Sequence, residues 1–264
     1  MVVAAASVPR TTTVVGGAQM LDPDARDRLA ALAPRLTGGL LAGDRCVPVH
    51  PAYLGVLPQG LPCGATVLTE GQAALSSAFL LAAAPVQTGA WLGVAGLPAL
   101  GAQACFEAGV APERVVVVRD TPSRTDEMWG QVLAALIDGF DVVVFGAAPR
   151  VRAGTARRLQ SRLQQRGAVL VIVGAAGPFS CDLTVASRAV WSGLGHGHGH
   201  LQTRQVHLEV TGRRMPRARR DALWFPASDG RIERMAPESG STPLRRAVSV
   251  SLTWANVLTR LFSS

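Results

Sequence analysis

The chain contains no lysine, so arginine supplies all 26 of its basic side chains. This absence excludes a complete Walker A phosphate-binding loop, in which a lysine reaches the β and γ phosphates of a nucleotide. Acidic residues are also few, and 18 of them leave a formal net charge of +8. Excess positive charge favours a phosphate-rich partner such as nucleic acid, although a GC-rich genome also supplies arginine in place of lysine without functional pressure.

Cysteines and long apolar runs are scarce as well. The four cysteines, Cys46, Cys63, Cys105 and Cys181, are widely spaced and form no CxxC pair. Their spacing argues against a zinc site and a disulfide framework, and favours reduced structural thiols. The sequence has no run of about 18 uncharged apolar residues and no signal-like start, so we predict a cytoplasmic protein that does not enter a membrane.

Short apolar runs alternate with helical patterns through the middle of the chain. The predicted strands are 66–71, 90–94, 115–118, 141–145 and 168–173, and the predicted helices are 73–84, 97–108, 126–137 and 154–166. Buried strands separated by amphipathic helices predict a mostly parallel sheet with helices on both faces. Polar and apolar residues then alternate over 203–211, and 222–225 forms a returning strand. We therefore expect an α/β fold with a C-terminal antiparallel extension.

Two segments flank this core. Asp22 and Pro23 make a good N-cap and first position for an N-terminal helix, and the Gly-, Ser- and Pro-containing stretch 238–243 has the composition of a linker. We expect residues 1–50 to form the helix and its connector, 51–237 the core, and 238–264 the linker and a tail.

The tail has the pattern of an amphipathic helix. Apolar residues at the i, i+3, i+4 and i+7 spacing would dock in a hydrophobic groove of a partner, or would fold back onto the chain's own core. A tryptophan in such a stripe is a typical binding anchor. The residues of this predicted partner site are Trp254, Val257, Leu258, Leu261 and Phe262.

The stretch from Gly60 to Ala78 is laid out like a degenerate phosphate-binding loop. A turn leads into a short strand that ends at Gly71, and a helix-forming run follows. A functional GxxxxGK[ST] loop would place Gly, Lys and Ser or Thr at positions that here hold Ser76, Ser77 and Ala78. The sequence thus predicts the scaffold of the loop without its chemistry. No arginine lies between Arg45 and Arg114, so a substitute cation would have to reach in from elsewhere.

In the order of these elements, residues 55–225 resemble the core of the RecA recombinase. The chain is most similar to the actinobacterial ImuA-type proteins, through the segments GLPCGAT at 60–66, WSGLG at 191–195, which we interpret as a turn, and GRR at 212–214. This resemblance implies an accessory factor of a damage-induced, mutagenic translesion synthesis complex. The implied partner is an inactive Y-family polymerase relative of the ImuB type, and through it the sliding clamp and an error-prone replicative-type polymerase.

The resemblance also implies which catalytic groups are missing. Ala95 stands where a RecA-type ATPase has its catalytic glutamate, Gly146 where it has the Walker B aspartate, and Ala175 where a glutamine senses the γ-phosphate. Phosphoryl transfer depends on such groups for positioning and charge stabilisation. We therefore predict no enzymatic activity and no cofactor. Two other functions stay open: a RecA-derived inhibitor of cell division after DNA damage, and an atypical ATPase.

Two arginine clusters are candidate nucleic-acid contacts, and either could equally be a solvated surface. Arg158, Arg162 and Arg166 share a face of the helix 154–166. The stretches that correspond to the DNA-binding loops of RecA, 147–154 and 176–183, are short, so nucleic-acid binding would be weak. The second cluster lies in the predicted hairpin and contains Arg213, Arg214, Arg217, Arg219 and Arg220.

Histidine and glycine alternate over 195–200. Histidines at this spacing can bind zinc or nickel, but no Cys, Asp or Glu lies nearby to complete a site. We predict a mobile loop with adventitious metal binding and no metal centre.

Overall fold

The structure is a computed structural model that describes residues 46–97, 100–119, 125–195, 198–213 and 215–235. The predicted N-terminal helix, the linker 238–243 and the tail with its partner-binding stripe, Trp254, Val257, Leu258, Leu261 and Phe262, lie outside the described residues, as does Arg214 of the hairpin cluster.

In the described part of the chain, eleven strands and four α-helices form an α/β fold. The strands are β1 Cys46–Val47, β2 Leu61–Pro62, β3 Thr66–Gly71, β4 Leu92–Ala95, β5 Val115–Val118, β6 Val142–Phe145, β7 Val169–Val173, β8 Leu183–Gly195, β9 His198–Gly212, β10 Arg219–Trp224 and β11 Glu233–Arg234. The helices are α1 Ala74–Gln87, α2 Ala102–Glu107, α3 Asp126–Gly139 and α4 Ala153–Arg166.

Nine of these strands form one mixed sheet in the order β11-β10-β9-β8-β3-β7-β6-β4-β5. The six strands from β8 to β5 are parallel to one another. β9, β10 and β11 continue the sheet in antiparallel pairing. The predicted parallel sheet with flanking helices and a C-terminal antiparallel extension is therefore confirmed.

The central strands form because their residues are apolar on both faces. β6 and the first four residues of β7 are completely buried, as expected for parallel strands covered by helices on both sides. One face of the sheet packs against α1 and α2, and the other packs against α3 and α4. On the second face the rings of Trp129 and Phe145 meet edge to face, with centroids 5.6 Å apart, a favourable arrangement for buried aromatics.

Local sequence signals fix the bounds of two helices. Thr125 caps α3 by accepting a hydrogen bond from the Met128 N–H, and Asp126 and Glu127 in the first turn complement the helix dipole. Gly167 ends α4 in the left-handed conformation, with φ of 73°, where glycine is preferred. The helix predicted over 97–108 is shorter in the structure because it begins only after Gly101.

The prediction for residues 191–200 was wrong. The segment Trp191–Gly195, interpreted as a turn, belongs to the 13-residue strand β8, and His198 and His200 belong to β9 instead of a loop. Small residues at Ala186, Ala189 and Gly193 weaken the strand pattern of this region. The backbone of Gly193 has φ of +111°, and the register shifts there as in a β-bulge.

The β8–β9 pair projects beyond its neighbours in the sheet. The pairing of β3 with β8 ends at Ser187, and the pairing of β10 with β9 ends at Gln205. Residues 190–195 and 198–205 form the projecting end of the hairpin, which we call the arm. None of the helices in the described ranges has the length and apolar character needed to cross a membrane.

We predict that Gly71→Ala destabilises the protein more than Gly174→Ala. Both glycines have φ near +90°, so each alanine has a backbone cost of about 1–2 kcal/mol. A Cβ at position 71 would lie 2.0 Å from the Ser187 carbonyl oxygen, whereas one at position 174 meets nothing within 4 Å. Urea unfolding should show a loss of about 3 kcal/mol or more for Gly71→Ala. Equal losses in the two variants would contradict close packing of β3 on β8.

Candidate functional site

The carboxyl ends of the parallel strands meet at one edge of the sheet. Ligands of open α/β sheets bind in the crevice at this edge. Gly71, Ala95, Gly146 and Ala175, which the sequence comparison singled out, all lie at or just after the ends of β3, β4, β6 and β7. The geometry of this edge therefore decides what the candidate site can hold.

The strand and the helix predicted around the degenerate phosphate loop are both found, but no open loop separates them. Only Gln72 and Ala73 connect the end of β3 to the start of α1. Ser76, Ser77 and Ala78 accordingly lie within the first turns of the helix, and Ser77 is 1% exposed. The run after Gln72 consists of good helix formers and contains no second glycine, so nothing in it favours an open loop.

Strand β8 occupies the hydrogen-bonding groups at this strand end. The Gln72 N–H donates to the Ser187 carbonyl oxygen at 3.0 Å, and the Ala73 N–H donates to Ser187 Oγ at 3.1 Å. Ser187 Oγ in turn donates to the Glu70 carbonyl oxygen at 2.8 Å. In a phosphate-binding loop such backbone N–H groups point at the ligand, whereas here two of them are bonded to a neighbouring strand.

The ends of β4 and β6 pack directly against each other. The Gly146 N–H donates to the Ala95 carbonyl oxygen at 3.0 Å, and Ala95 is completely buried. A Cβ at Gly146 would lie 2.5 Å from the Gly96 carbonyl oxygen and 2.4 Å from Leu97 Cδ2. The structure thus brings two of the altered positions together and leaves no room for the carboxylate that a Walker B strand would present. Ala175 follows β7 and is exposed.

Arg204 of β9 reaches this edge from the antiparallel extension. Its Nη2 donates to Ser76 Oγ at 3.0 Å and its Nε to the Phe225 carbonyl oxygen at 2.6 Å. The guanidinium carbon lies 5.0 Å from the centroid of the Trp191 ring and 4.9 Å from that of Phe225. Burial lowers the pKa of Arg204 from its ordinary value, but a guanidinium stays charged at neutral pH.

Sequence reasoning missed Arg204. It is separated from Ser76 by 128 residues, and no local pattern links the two positions. The one signal in the sequence was the lack of any arginine between Arg45 and Arg114, which required a cation at this edge to come from elsewhere in the fold or from a partner. No carboxylate of the described residues forms an ion pair with Arg204.

The arginine cluster on α4 is partly used in packing α4 against α3. Arg162 forks onto the carboxylate of Asp138, and Arg166 donates to the Asp138 carbonyl oxygen. A groove of about 580 Å³ runs between the two helices, with Arg158 on one wall and Asp126 on the other. Both signs of charge line the groove, so it is a poor match for a polyanion. Nucleic-acid contact by this cluster stays a prediction.

The hairpin cluster is spread over different surfaces. Arg219 donates to the Val56 carbonyl oxygen at 3.4 Å, whereas Arg220, on the opposite face of β10, pairs with Glu209 at 3.0 Å. Arg213 and Arg217 are exposed near the β9–β10 turn. The described members therefore form no single basic patch.

The two segments that the resemblance to RecA aligns with its DNA-binding loops are held against the core. Ala148–Arg150 form a 3-10 turn that Val151 and Arg152 connect to α4. In the second segment, Gln160 of α4 donates to the Ser180 carbonyl oxygen at 2.7 Å and accepts from the Ser180 N–H, while Phe179 is buried. Residues 174–182 contain no basic side chain. The second segment therefore offers phosphate groups little to bind, whereas the first contains Arg150, which pairs with Asp126, and the exposed Arg152.

Metal ligands are not assembled in the part of the chain that the structure describes, where no three His, Cys, Asp or Glu side chains cluster. Burial raises the pKa of Cys105 to about 11, so this thiol stays protonated at neutral pH and is a poor nucleophile or ligand.

Comparisons with known proteins show that the strands of the carboxyl edge from β3 to β7 belong to a domain that other proteins also contain. Residues 55–178 match the MT3502 N-terminal domain. Over 209 residues the chain is 30% identical to the uncharacterized protein Rv3395c of Mycobacterium tuberculosis (strain H37Rv), a match that covers 75% of this chain and 93% of that protein. The chain belongs to the MT3502 family. The segment that matches the MT3502 N-terminal domain contains the parallel strands from β3 to β7 and ends before β8, so Arg204 and the arm lie beyond it.

We predict that Gly146→Asp destabilises this MT3502-family protein without creating a magnesium site. The new side chain would displace the Gly96 backbone, and such overpacking typically costs about 1–3 kcal/mol. Ala175→Gln, at an exposed position, is the matched control and should change stability by less than about 0.5 kcal/mol. Thermal unfolding with and without Mg²⁺ measures both effects. A Mg²⁺-dependent stabilisation of Gly146→Asp would show that the edge can open.

We also predict a measurable coupling between Asp138 and Arg162. Their side chains are 37% and 50% exposed, so solvent screening limits the interaction to about 0.5–1 kcal/mol. A double-mutant cycle with Asp138→Asn and Arg162→Gln, followed by urea unfolding, should give this coupling. The Asp229–Arg231 pair, which is more exposed, should give a smaller value. No coupling between Asp138 and Arg162 would leave Arg162 available for a ligand.

Proposed function

We propose that the protein is a non-catalytic, RecA-like adaptor of a damage-induced translesion synthesis complex in the cytoplasm, where it binds an inactive Y-family polymerase relative of the ImuB type. The observation that carries this proposal is the closed carboxyl edge of the sheet. Gly146 lies against the Gly96 backbone at the position where a RecA-type ATPase needs a magnesium ligand. A protein that keeps the sheet but closes its nucleotide edge is better suited to binding partners than to hydrolysis.

The chemistry of phosphoryl transfer supports the absence of catalysis. The reaction needs a lysine or equivalent cation, a magnesium ligand, a residue that orients water and donors for the γ-phosphate. Removing a single stabilising group of this kind typically costs about 10²-fold or more in rate. Here Ala95 and Gly146 provide no polar side chain, and the N–H groups of Gln72 and Ala73 are bonded to Ser187.

Arg204 does not by itself restore the missing chemistry. It places one cation beside Ser76, which could replace the charge of the missing lysine. The magnesium ligand and the water-orienting group have no comparable substitute at the ends of β4 and β6, because Ala95 is buried and Gly146 has no space for a side chain.

The resemblance to ImuA-type proteins supports the choice of partner. It rests on segments at 60–66, 191–195 and 212–214; the first includes β2 and the start of β3, the second lies in β8, and the third begins at the end of β9. The relative in Mycobacterium tuberculosis comes from the actinobacterial lineage to which the resemblance points. The sequence of the tail, with Trp254 in an apolar stripe, adds a candidate contact for the partner.

We predict that affinity purification from DNA-damaged host cells recovers the ImuB-type polymerase relative with the full chain. The same experiment with a chain truncated after Glu238 should lose most of it, because the apolar stripe is then missing. A full-length Trp254→Ala, Leu258→Ala variant controls for effects of truncation on the core. Mass spectrometry of the recovered proteins, with undamaged cells for comparison, provides the measurement.

The alternatives give different results in the same experiment. Recovery of the division GTPase would favour a cell-division inhibitor, and recovery of neither protein would contradict the adaptor proposal. Equal recovery of the polymerase relative by both chains would keep the function and move the contact to the core. Mg²⁺-dependent binding of ATP at millimolar concentration would favour an atypical ATPase.

A further inference from the structure

The arm carries an unusual concentration of exposed apolar side chains. Among the described residues, six large apolar side chains are prominently exposed, and three of them, Val190, Trp191 and Leu201, lie on the arm at 51%, 45% and 48% exposure. Isolated exposed apolar residues are normal on protein surfaces, whereas clusters mark interaction sites. The arm is therefore the strongest candidate surface outside the carboxyl edge.

The two faces of the arm differ in chemistry. Trp191 pairs directly with Arg204 across the two strands, so both side chains lie on the face that approaches α1. Val190 pairs with Gln205, one position along each strand, so strand alternation places Val190 on the opposite face. Only the first face combines an exposed aromatic ring with a cation.

The guanidinium of Arg204 is preorganised to bind an anion, and the described residues do not provide one. Two aromatic rings and two hydrogen bonds hold it in one orientation. Arginine has five N–H donors, and the bonds to Ser76 Oγ and the Phe225 carbonyl oxygen use two of them. The remaining N–H groups have no carboxylate within ion-pair distance in the described ranges. A fixed, half-buried arginine of this kind pairs well with a carboxylate because little side-chain entropy remains to be lost.

The surroundings of Arg204 favour a protein over a nucleic acid. A polynucleotide site needs several cations that track the phosphates. Strands β8 and β9 contain one other arginine, Arg188. It pairs with His207, so its side chain lies on the face opposite to Arg204. A single cation beside an exposed tryptophan instead matches the composition of protein–protein hot spots, which are enriched in Trp and Arg.

We propose that Trp191 and Arg204 form a docking site for an acidic, partly apolar segment of a protein partner. A carboxylate of the partner pairs with the Arg204 guanidinium, and an apolar side chain of the partner packs on the Trp191 ring. This proposal rests on the geometry of the arm alone, so it does not depend on the function proposed above.

A peptide selection tests this proposal with short segments in place of the whole partner protein. A phage-displayed library of random 12-residue peptides is selected on the full-length chain, and enriched peptides are synthesised with a fluorophore for anisotropy titrations. We expect enriched peptides to place Asp or Glu beside an aromatic or aliphatic residue. Arg204→Gln should weaken their binding about tenfold or more, and Trp191→Ala should weaken it similarly. Arg204→Lys should bind with intermediate affinity, since it keeps the charge without the planar fork.

Controls separate this result from loss of folding. Val190→Ser, on the other face of the arm, should bind the peptides within about threefold of the unmodified chain. Thermal melts verify each variant, and if Arg204→Gln melts early, Trp191→Ala carries the test because its ring is already 45% exposed. The proposal is overturned if no peptide is enriched, if the enriched peptides lack acidic residues, or if both variants bind normally. A fluorescent 20-nucleotide oligothymidine provides the last comparison. If it binds in an Arg204-dependent way and no acidic peptide does, the site is a nucleic-acid site and the proposed protein-docking site is wrong.

Discussion

The contact between the end of β3 and Ser187 of β8 is the constraint on which the other features of the molecule depend. It joins the parallel core to the antiparallel extension at a point where Gly71 lies against the Ser187 carbonyl group. The Gln72 and Ala73 N–H groups are bonded to Ser187, so the chain turns at once into α1. The early start of α1 places Ser76 on the first helical turn, within reach of Arg204. The closed edge and the position of the arm therefore have one common cause.

The ends of β4 and β6 are also closed by backbone packing. Gly96 and Gly146 lie so close together that a Cβ added to either would collide with the segment that follows the other strand. A carboxylate at that point would also have to be desolvated unless a metal accompanied it. Close packing and metal binding are thus alternative uses of the same space. This chain, which also lacks lysine, is built for close packing at each of these positions.

The sequence predicted the parts of the fold that local chemistry determines. Four consecutive valines placed β5 at Val115–Val118 without error, because β-branched residues bounded by charged ones leave little ambiguity. Strand β8 was not predicted since Ala186, Ala189 and Gly193 interrupt its pattern. The strand ending at Gly71 and the helix predicted over 73–84 are both found, but they leave only Gln72 and Ala73 between them, so the positions aligned with Gly, Lys and Thr of a phosphate loop lie inside the helix. Arg204 could not be found at all, since only the register of β9 against β8 and the packing of α1 bring it to Ser76.

The absence of lysine gives the cations of this protein a distinctive role. A lysine ammonium group is a compact, strongly hydrated charge, whereas a guanidinium is planar and can stack on rings while donating several hydrogen bonds. Arg162 uses this geometry to fork onto Asp138, and Arg204 uses it between Trp191 and Phe225. In the first case the carboxylate belongs to the chain, and the arginine joins two helices. In the second the same fixed geometry has no carboxylate among the described residues, although holding a half-buried charge without one is costly. An acidic group from a partner would remove that cost, which is why the arm is better explained as a binding surface than as a support for the protein's own core.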